Sequence, residues 1–595
     1  MNDKKIGVKI IFTLILFFGI FGLTKSSEAA CTETTTNSHI WNCSKDLTSI
    51  STLMASVDLD PGDIVNVSAG SETWQSTLTI TKGISLIGAG IGNTVITNGI
   101  STHGFLIQYN PSNYDLNTPI RISNFSFNHN NHNGPIIKLG DFKTAPFTMQ
   151  TKLRIDNNKF YDTTGYVAGR QSIYDLGTVR GVVDNNIFEN VAYPIKAQPS
   201  QSTSNWWDNS NVGETLEFAF GEADKNIYFE DNTFINSPNS DMLLTDCAYS
   251  GRWLYRYNTI TIQSDAYPLF EQHGNDPGGD MWSCFGGELY GNRFTLAAPY
   301  GSSFMIQRGG QFLVFNNYVV APGNGAWALF REEFADSGNP TTSGNTQHVN
   351  NSYYWNNWLL RGTLQRLPTD ISTSVNWVNG LAENVDVWIG RDGFNGTSGV
   401  GCGTLVPDTC TTGVGYWATN QNCSDMTGMV GVNPAKPISG TLYKCTATST
   451  WTAYYTPLAY PHPIRTDCVN YPTLCDAGSS VCTYTYSSWS VCQSNNIQSR
   501  TVISSSPSGC TGTPIFTQSC TYTPQNFLPE QYIQAESGTL SNMQTGTSGS
   551  DTYVYTSTSN QGSAKYTFDI PQAGKYKLEA RVNTNTDTTG AQNSF

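Results

Sequence analysis

Asn226-Ile-Tyr-Phe-Glu-Asp-Asn-Thr-Phe234 leads to Met242-Leu-Leu-Thr-Asp246. Arg252-Trp-Leu-Tyr-Arg-Tyr-Asn-Thr-Ile260 leads to Leu269-Phe-Glu-Gln-His273, and Glu288-Leu-Tyr-Gly-Asn-Arg-Phe294 leads to Phe304-Met-Ile-Gln-Arg308. Each unit is a short apolar strand, an Asn turn, a second short strand, and an apolar pair ending in polar residues. Self-similarity at a few tens of residues predicts a stack in which each unit buries its face on its neighbours.

The same turn recurs outside this stretch, at Asn157-Asn158-Lys-Phe160, Asn185-Asn186-Ile-Phe188 and Asn316-Asn317. Phe188 follows Phe160 by 28 residues (188 − 160) and Val319 follows Phe294 by 25 (319 − 294). Three short strands with their turns need about that length. Asn tolerates the left-handed backbone of a tight bend. Stacked Asn side chains can also hydrogen-bond from coil to coil across one strand spacing. Phe160, Phe188, Phe234 and Phe294 are expected to stack inside as an aromatic ladder.

Composition agrees. The 595 residues are only 13% charged and 12% aromatic, and rich in Gly, Asn, Ser and Thr, which suits short strands and turns. The formal charge of −14 argues against nucleic acid or anionic lipid as partner. An anionic polysaccharide would need Ca²⁺ or a local Arg/Lys patch. Residues 1–30 read as a secretory signal, with Lys4, Lys5 and Lys9 before the apolar run Ile10 to Leu23 and small residues at Ala29 and Ala30. That run is short for a membrane span, and a retained N-terminal anchor is the alternative. No span is expected after the signal. The 14 cysteines of an exported chain read as disulfides. Cys31 and Cys43 flank a short loop, stacking would bring Cys247 to Cys284, and the pairing of the ten between Cys402 and Cys520 is open.

Towards the N-terminus, Gly62-Asp-Ile-Val65 followed by Ile84-Ser-Leu-Ile-Gly-Ala-Gly90 resembles the entry coils of pectate-lyase-like proteins. The resemblance implies a right-handed parallel β-helix, over about residues 45–365 as repeats and less regularly to 465. That family's Trp-x-Asp-His block and its later Arg-bearing motif are missing here, so the resemblance is one of fold. Residues 482–522, with Trp489, Arg500 and four cysteines, loosely resemble a thrombospondin type 1 repeat. Ile533-Gln-Ala-Glu536, Ala564-Lys-Tyr-Thr-Phe568 and Gly574-Lys-Tyr576 resemble the first half of a family 6/35 carbohydrate-binding module. That implies part of a β-sandwich jelly roll, with Glu536 on a structural Ca²⁺. The expected organisation is a signal (1–30), a parallel β-helix with N- and C-terminal caps (31–465), a Cys-rich linker (466–527) and a partial carbohydrate-binding module (528–595). Val385 to Arg465 is read as the cap over the last coil's open edge.

Registering the repeats places strand ends in columns. One column reads Asp175, Ala197, Thr245, Glu271, Gln307, Arg331; the next reads Leu176, Gln198, Asp246, Gln272, Arg308, Glu332. His273 lies one step on. Asp246, Glu271, His273, Arg308, Arg331 and Glu332 are then expected on one face, in reach of an extended ligand. In a lyase, Arg308 or His273 would remove the proton α to a uronate carboxylate, with Asp246, Asp276 and Asp280 as candidate Ca²⁺ ligands. In a hydrolase, Asp246, Glu271 and Glu332 supply the carboxylate pair. A purely structural ladder would pair Arg308 with Glu332 and Arg331 with Glu271. His129 and His132 are read as a solvated turn, and His462, between prolines, as a packing residue. The expected protein is a monomeric, secreted or cell-surface polysaccharide-engaging chain, either a polysaccharide lyase or a non-catalytic glycan-binding adhesin.

Overall fold

The computed structural model describes residues 31–569, with breaks at 101–103, 142–147, 164–170, 199–217, 239–241, 265–267, 275–282, 297–302, 323–327, 331–348, 372–380, 422, 424–435, 476–482, 493–495, 507–515, 522–532, 559–560 and 568. The signal reading, Asp276, Asp280, Arg331 and Glu332 therefore lie outside the described residues. The chain divides into two units, residues 1–483 with 505–513, and residues 484–504 with 514–595.

The first unit is a parallel β-helix. Each coil gives one strand to each of three sheets of 13, 11 and 10 strands. Arg252–Arg256, for example, enters the 13-stranded sheet, Thr259–Ile262 the 11-stranded and Phe270–Gln272 the 10-stranded one; Gly286–Tyr290 then lies beside Arg252–Arg256. Nearly all pairings in the three sheets are parallel. The antiparallel exceptions lie at the ends, where Thr32–Glu33 pairs Ile40–Cys43 and Trp358–Arg361 pairs Thr363–Arg366. Helix Leu47–Met54, capped by Asp46, buries Ile50, Leu53 and Met54 at the first coils. Among the described residues no helix is long and apolar enough to cross a membrane.

The Asn turns work by dividing two tasks between adjacent residues. The first residue takes the left-handed bend: φ is 53° at Asn157, 54° at Asn185, 60° at Asp231, 59° at Tyr257 and 51° at Asn316. The second is a fully buried Asn whose Oδ1 accepts the backbone N–H of the equivalent Asn one coil earlier. This runs Asn158 to Asn186, Asn186 to Asn232, Asn232 to Asn258 and Asn258 to Asn292, each at 2.9–3.0 Å. Asn292 to Asn317 and Asn317 to Asn357 continue it at 3.2 Å. Phe160, Phe188 and Phe234 stack at 5.0 and 4.8 Å, and Phe127 extends the ladder at 5.4 Å. Phe294 does not join them. Ile260 occupies the next rung, and Phe294 instead meets Phe304 edge-on at 4.7 Å. An aliphatic side chain fills that interior position equally well, so periodicity in apolar character does not guarantee periodicity in rings.

Cys31–Cys43, Cys247–Cys284, Cys402–Cys423, Cys410–Cys445, Cys468–Cys475 and Cys492–Cys520 are disulfides. The segment after the last coil does more than close an edge. It forms a four-stranded sheet (Val400–Gly403, Gly415–Ala418, Thr441–Ala447 and Thr450–Tyr455). It then runs back along the outer face of the 13-stranded sheet. Tyr455 meets Phe315, the Leu458 carbonyl accepts from Arg256, and His462 packs on Tyr228. Arg465 pairs with Asp184 and Glu230, and the Leu474 and Cys475 carbonyls accept from Arg154 and Arg121. Outward-facing Tyr290, Phe315 and Trp355 stack beneath it. Burial neutralises His462, taking it down to about 3, whereas Glu230 is held at about 2 because Arg256 and Arg465 outweigh its burial.

His129 departs from the solvated-turn reading. It is fully buried, with Nε2 3.3 Å from Ser172 Oγ. In the second unit, Arg500 lies over the rings of Tyr486 and Trp489, at 3.4 and 4.2 Å. Its described residues also form three antiparallel pairs, Ile497–Ser499 with Thr517–Ser519, Thr539–Ser541 with Ser563–Lys565 and Gln544–Ser548 with Asp551–Tyr555.

Candidate functional site on the ten-stranded sheet

Four successive strands of the 10-stranded sheet build the site: Tyr193–Ala197, Thr245–Cys247, Phe270–Gln272 and Met305–Gln307. Alternation decides what faces out. Ile195, Thr245, Phe270 and Met305 share one inward column; Ala197, Cys247, Gln272 and Gln307 share the other. Each inward glutamine accepts through its Oε1 inside the coil. Gln272 Oε1 accepts from Trp253 Nε1 at 2.8 Å, and Gln307 Oε1 accepts from Tyr354 Oη at 3.0 Å. Between the two columns Lys196, Asp246, Glu271 and Ile306 face outward in register. His273 and Arg308 follow the inward glutamines and return to the outer side.

This register corrects the sequence columns, by one residue at Glu271 and Gln272 and by two at Thr245, whose place beside Ala197 is taken by Cys247. Glu271 stands beside Asp246 and Ile306, not beside Thr245 and Gln307, and Gln272 stands beside Cys247, not Asp246. Thr245 caused the slip. It is a polar residue in the inward column that Phe270 and Met305 occupy, fully buried there, and it reads in sequence as the polar end of its strand.

The outward side chains form one chain of contacts. Lys196 Nζ lies 3.5 Å from Asp246 Oδ2, and Asp246 Oδ1 lies 3.2 Å from His273 Nε2. The latter is an electrostatic approach, since Asp246 Oδ1 has no aligned donor. Arg308 Nη2 lies 2.9 Å from His273 Nδ1 and donates to Glu271 Oε1 at 2.5 Å. Arg308 is thus bonded to Glu271, while Glu332 lies outside the described residues. A guanidinium only donates, so Nδ1 of His273 is the acceptor and Nε2, facing Asp246, carries the proton. Burial raises the Asp246 carboxyl, but His273 and Lys196 more than offset this, with Gln198 adding to it, and hold it below its ordinary value. Asp246 is therefore a fixed anion.

The Cys247–Cys284 bridge braces this arrangement. The Cys247 carbonyl accepts the His273 N–H, and the Cys284 N–H donates to the His273 carbonyl, both at 2.9 Å. Lys196 was not among the sequence candidates, although the alternation of Ile195-Lys196-Ala197 marks it as outward. Among the described residues no group of three or more His, Cys, Asp or Glu side chains is placed to hold a metal ion. Asp246 is engaged with Lys196 and His273, and Glu536, in the turn Ala535–Ser537, has no such cluster around it. Asp276 and Asp280, the other candidate Ca²⁺ ligands, lie outside the described residues.

No protein-family model matches the chain, and no curated protein matches it. Among solved structures it is similar to a mannuronic acid-specific polysaccharide family 6 lyase from human gut microbiota, with TM-score 0.29 and 14% identity over 62% of this chain and 81% of that one. It is also similar to the A-module of the Azotobacter vinelandii mannuronan C-5 epimerase AlgE4, with TM-score 0.23 and 13% identity over 47% and 95%. A third similarity is to ORF18 of Geobacillus virus E2, with TM-score 0.22 and 14% identity over 55% and 58%.

Proposed function

We propose that the outer strip of the 10-stranded sheet engages a uronate-containing polysaccharide and that the chain is an exported polysaccharide lyase. The observation that carries this reading is the contact chain Asp246–His273–Arg308–Glu271 on a partly exposed face running along the coils. A uronate carboxylate draws the Arg308 guanidinium from His273 Nδ1, and the Arg308 charge stabilises the enolate that develops. The freed Nδ1 takes the proton α to the carboxylate. The C–H electron pair becomes the new C=C bond, the C–O pair leaves with the glycosidic oxygen, and solvent protonates that oxygen. Asp246, already an anion, then faces the imidazolium. For a hydrolase, Asp246, held below its ordinary value, suits the anionic carboxylate of the pair and not its acid.

The second reading is a non-catalytic glycan-binding adhesin. It is favoured by the pairs Lys196–Asp246 and Arg308–Glu271, which satisfy one another across coils as a structural ladder does. The test is incubation with polymannuronate, polyguluronate and polygalacturonate, followed by the ultraviolet absorbance of unsaturated ends. The lyase reading expects product from the wild type, and losses of 100-fold or more, of the order of a general-base contribution, in His273→Ala and Arg308→Ala. Activity that survives both substitutions rejects the site, and binding without cleavage selects the adhesin.

A further inference from the structure

The outward column continues past Lys196. Lys138, Tyr174, Lys196, Asp246 and Glu271 are successive partners on five neighbouring strands of the 10-stranded sheet. All are outward positions by alternation. Lys138 and Tyr174 are half-buried, between fully buried neighbours such as Ile137, Leu139 and Ile173. The Lys138 ammonium is held 4.7 Å over the Phe105 ring, and Lys196 reaches Asp246. The column therefore has two cations separated by a ring at one end and the carboxylates at the other. One coil advances by about 4.8 Å, so Lys138 and Lys196 stand roughly 10 Å apart. An extended 1,4-linked pyranose chain advances by a similar length per sugar. Its alternate residues face the same way, so carboxylates two residues apart recur on one side at nearly that distance.

We propose that Lys138 and Lys196 bind the carboxylates of alternate residues of a polyuronate, with Tyr174 under the sugar between them. This rests on the polyuronate reading above and adds a specificity to it. The strip selects chains with a carboxylate at both positions, and it aligns the polymer so that its next residues fall over Asp246, His273 and Arg308. Tyr174 supplies a flat apolar surface for the intervening ring. Lys138 lies four strands from Glu271, Arg308's partner, on the far side of Lys196 and Asp246, so its charge contributes to holding the polymer and not to the proton transfer.

The test is calorimetric binding of polymannuronate, polyguluronate, polygalacturonate and carboxyl-reduced polygalacturonate to the full chain at several salt concentrations. The wild type is expected to bind at least one polyuronate and not the reduced polymer. Lys138→Gln and Tyr174→Ala are each expected to weaken that binding by about tenfold, and Lys138→Gln also to flatten the salt dependence. Lys138→Arg should restore both. Lys159→Gln, on the 11-stranded sheet where Lys159 meets Glu189, should change neither. Wild-type binding that survives Lys138→Gln and Tyr174→Ala overturns the two-cation subsite and leaves the polyuronate reading standing. A wild type that binds none of the polyuronates overturns both.

Discussion

Replacing Asn232 by Ala removes more than one side chain's worth of bonding. Its Oδ1 accepts from the backbone N–H of Asn186 at 2.9 Å and from Asn186 Nδ2 at 3.0 Å. Its Nδ2 donates to the Val183 and Glu230 carbonyls at 2.8 and 3.1 Å and to Asn258 Oδ1 at 3.1 Å. All of these groups are buried, and Ala offers none of them a replacement. A buried donor or acceptor left unpaired costs about 1–3 kcal/mol. The Asn186 N–H is the group most fully orphaned, whereas Asn258 Oδ1 keeps the backbone N–H of residue 232, and the several lost bonds together set the expected loss at about 3–5 kcal/mol. The half-buried Asn66, whose Nδ2 donates to Asn42 Oδ1 at 3.3 Å, is the control and should change stability by under about 0.5 kcal/mol when replaced by Ala. Urea unfolding followed by tryptophan fluorescence reads the difference as a midpoint lowered by on the order of 1 M in Asn232→Ala alone. Equal midpoints for the two variants would refute the view that the stacked amides hold neighbouring coils together.

Two further outcomes follow from groups beside the strip and beneath the return segment. Glu288 is buried against the Gly221 N–H and the Tyr455 hydroxyl, and burial pushes its carboxyl from 4.5 up to about 7. Between those values the folded chain keeps a proton that the unfolded chain gives up, so Glu288's contribution is fully present below about 4.5 and lost as pH rises to about 7. Glu288→Gln should therefore raise Tm progressively from pH 4 to 7, by up to roughly 3 kcal/mol in stability, and no further above that; a pH-independent difference would count against this. Replacing both Cys247 and Cys284 by Ser should lower stability by about 2–4 kcal/mol and also weaken polyuronate binding severalfold, because the bridge braces both ends of the backbone carrying His273. Calorimetry on a variant with unchanged circular dichroism checks this, and full retention of affinity would refute the brace.

Much of the first unit is legible in the sequence because its determinants are local and repeated. The pairs Asn185-Asn186 and Asp231-Asn232 announce both the left-handed bend and the buried amide that follows it. Cys247 and Cys284 fall at corresponding strand ends, so stacking alone joins them. The register of the candidate site was not legible, since a buried Thr245 in an apolar column moves the apparent polar boundary of its strand two residues from Cys247. Lys196 was legible from the alternation Ile195-Lys196-Ala197, and its place beside Asp246 follows only from the pairing with Thr245–Cys247. The path of Tyr455 to Cys475 leaves no mark at all. Arg465 meets Glu230 across more than two hundred residues through charge complementarity that no repeat encodes.

That path changes how the solenoid comes apart. A stack held only by neighbour contacts can fray, shedding its last turn, then the next. Here the tape that begins beyond the final turn is fastened at Glu288, Arg256, Glu230, Asp184, Arg154 and Arg121, one rung after another towards the opposite end. Peeling back the terminus pulls on every rung it crosses, so the whole rod melts more nearly as one body than a chain of repeats would by itself.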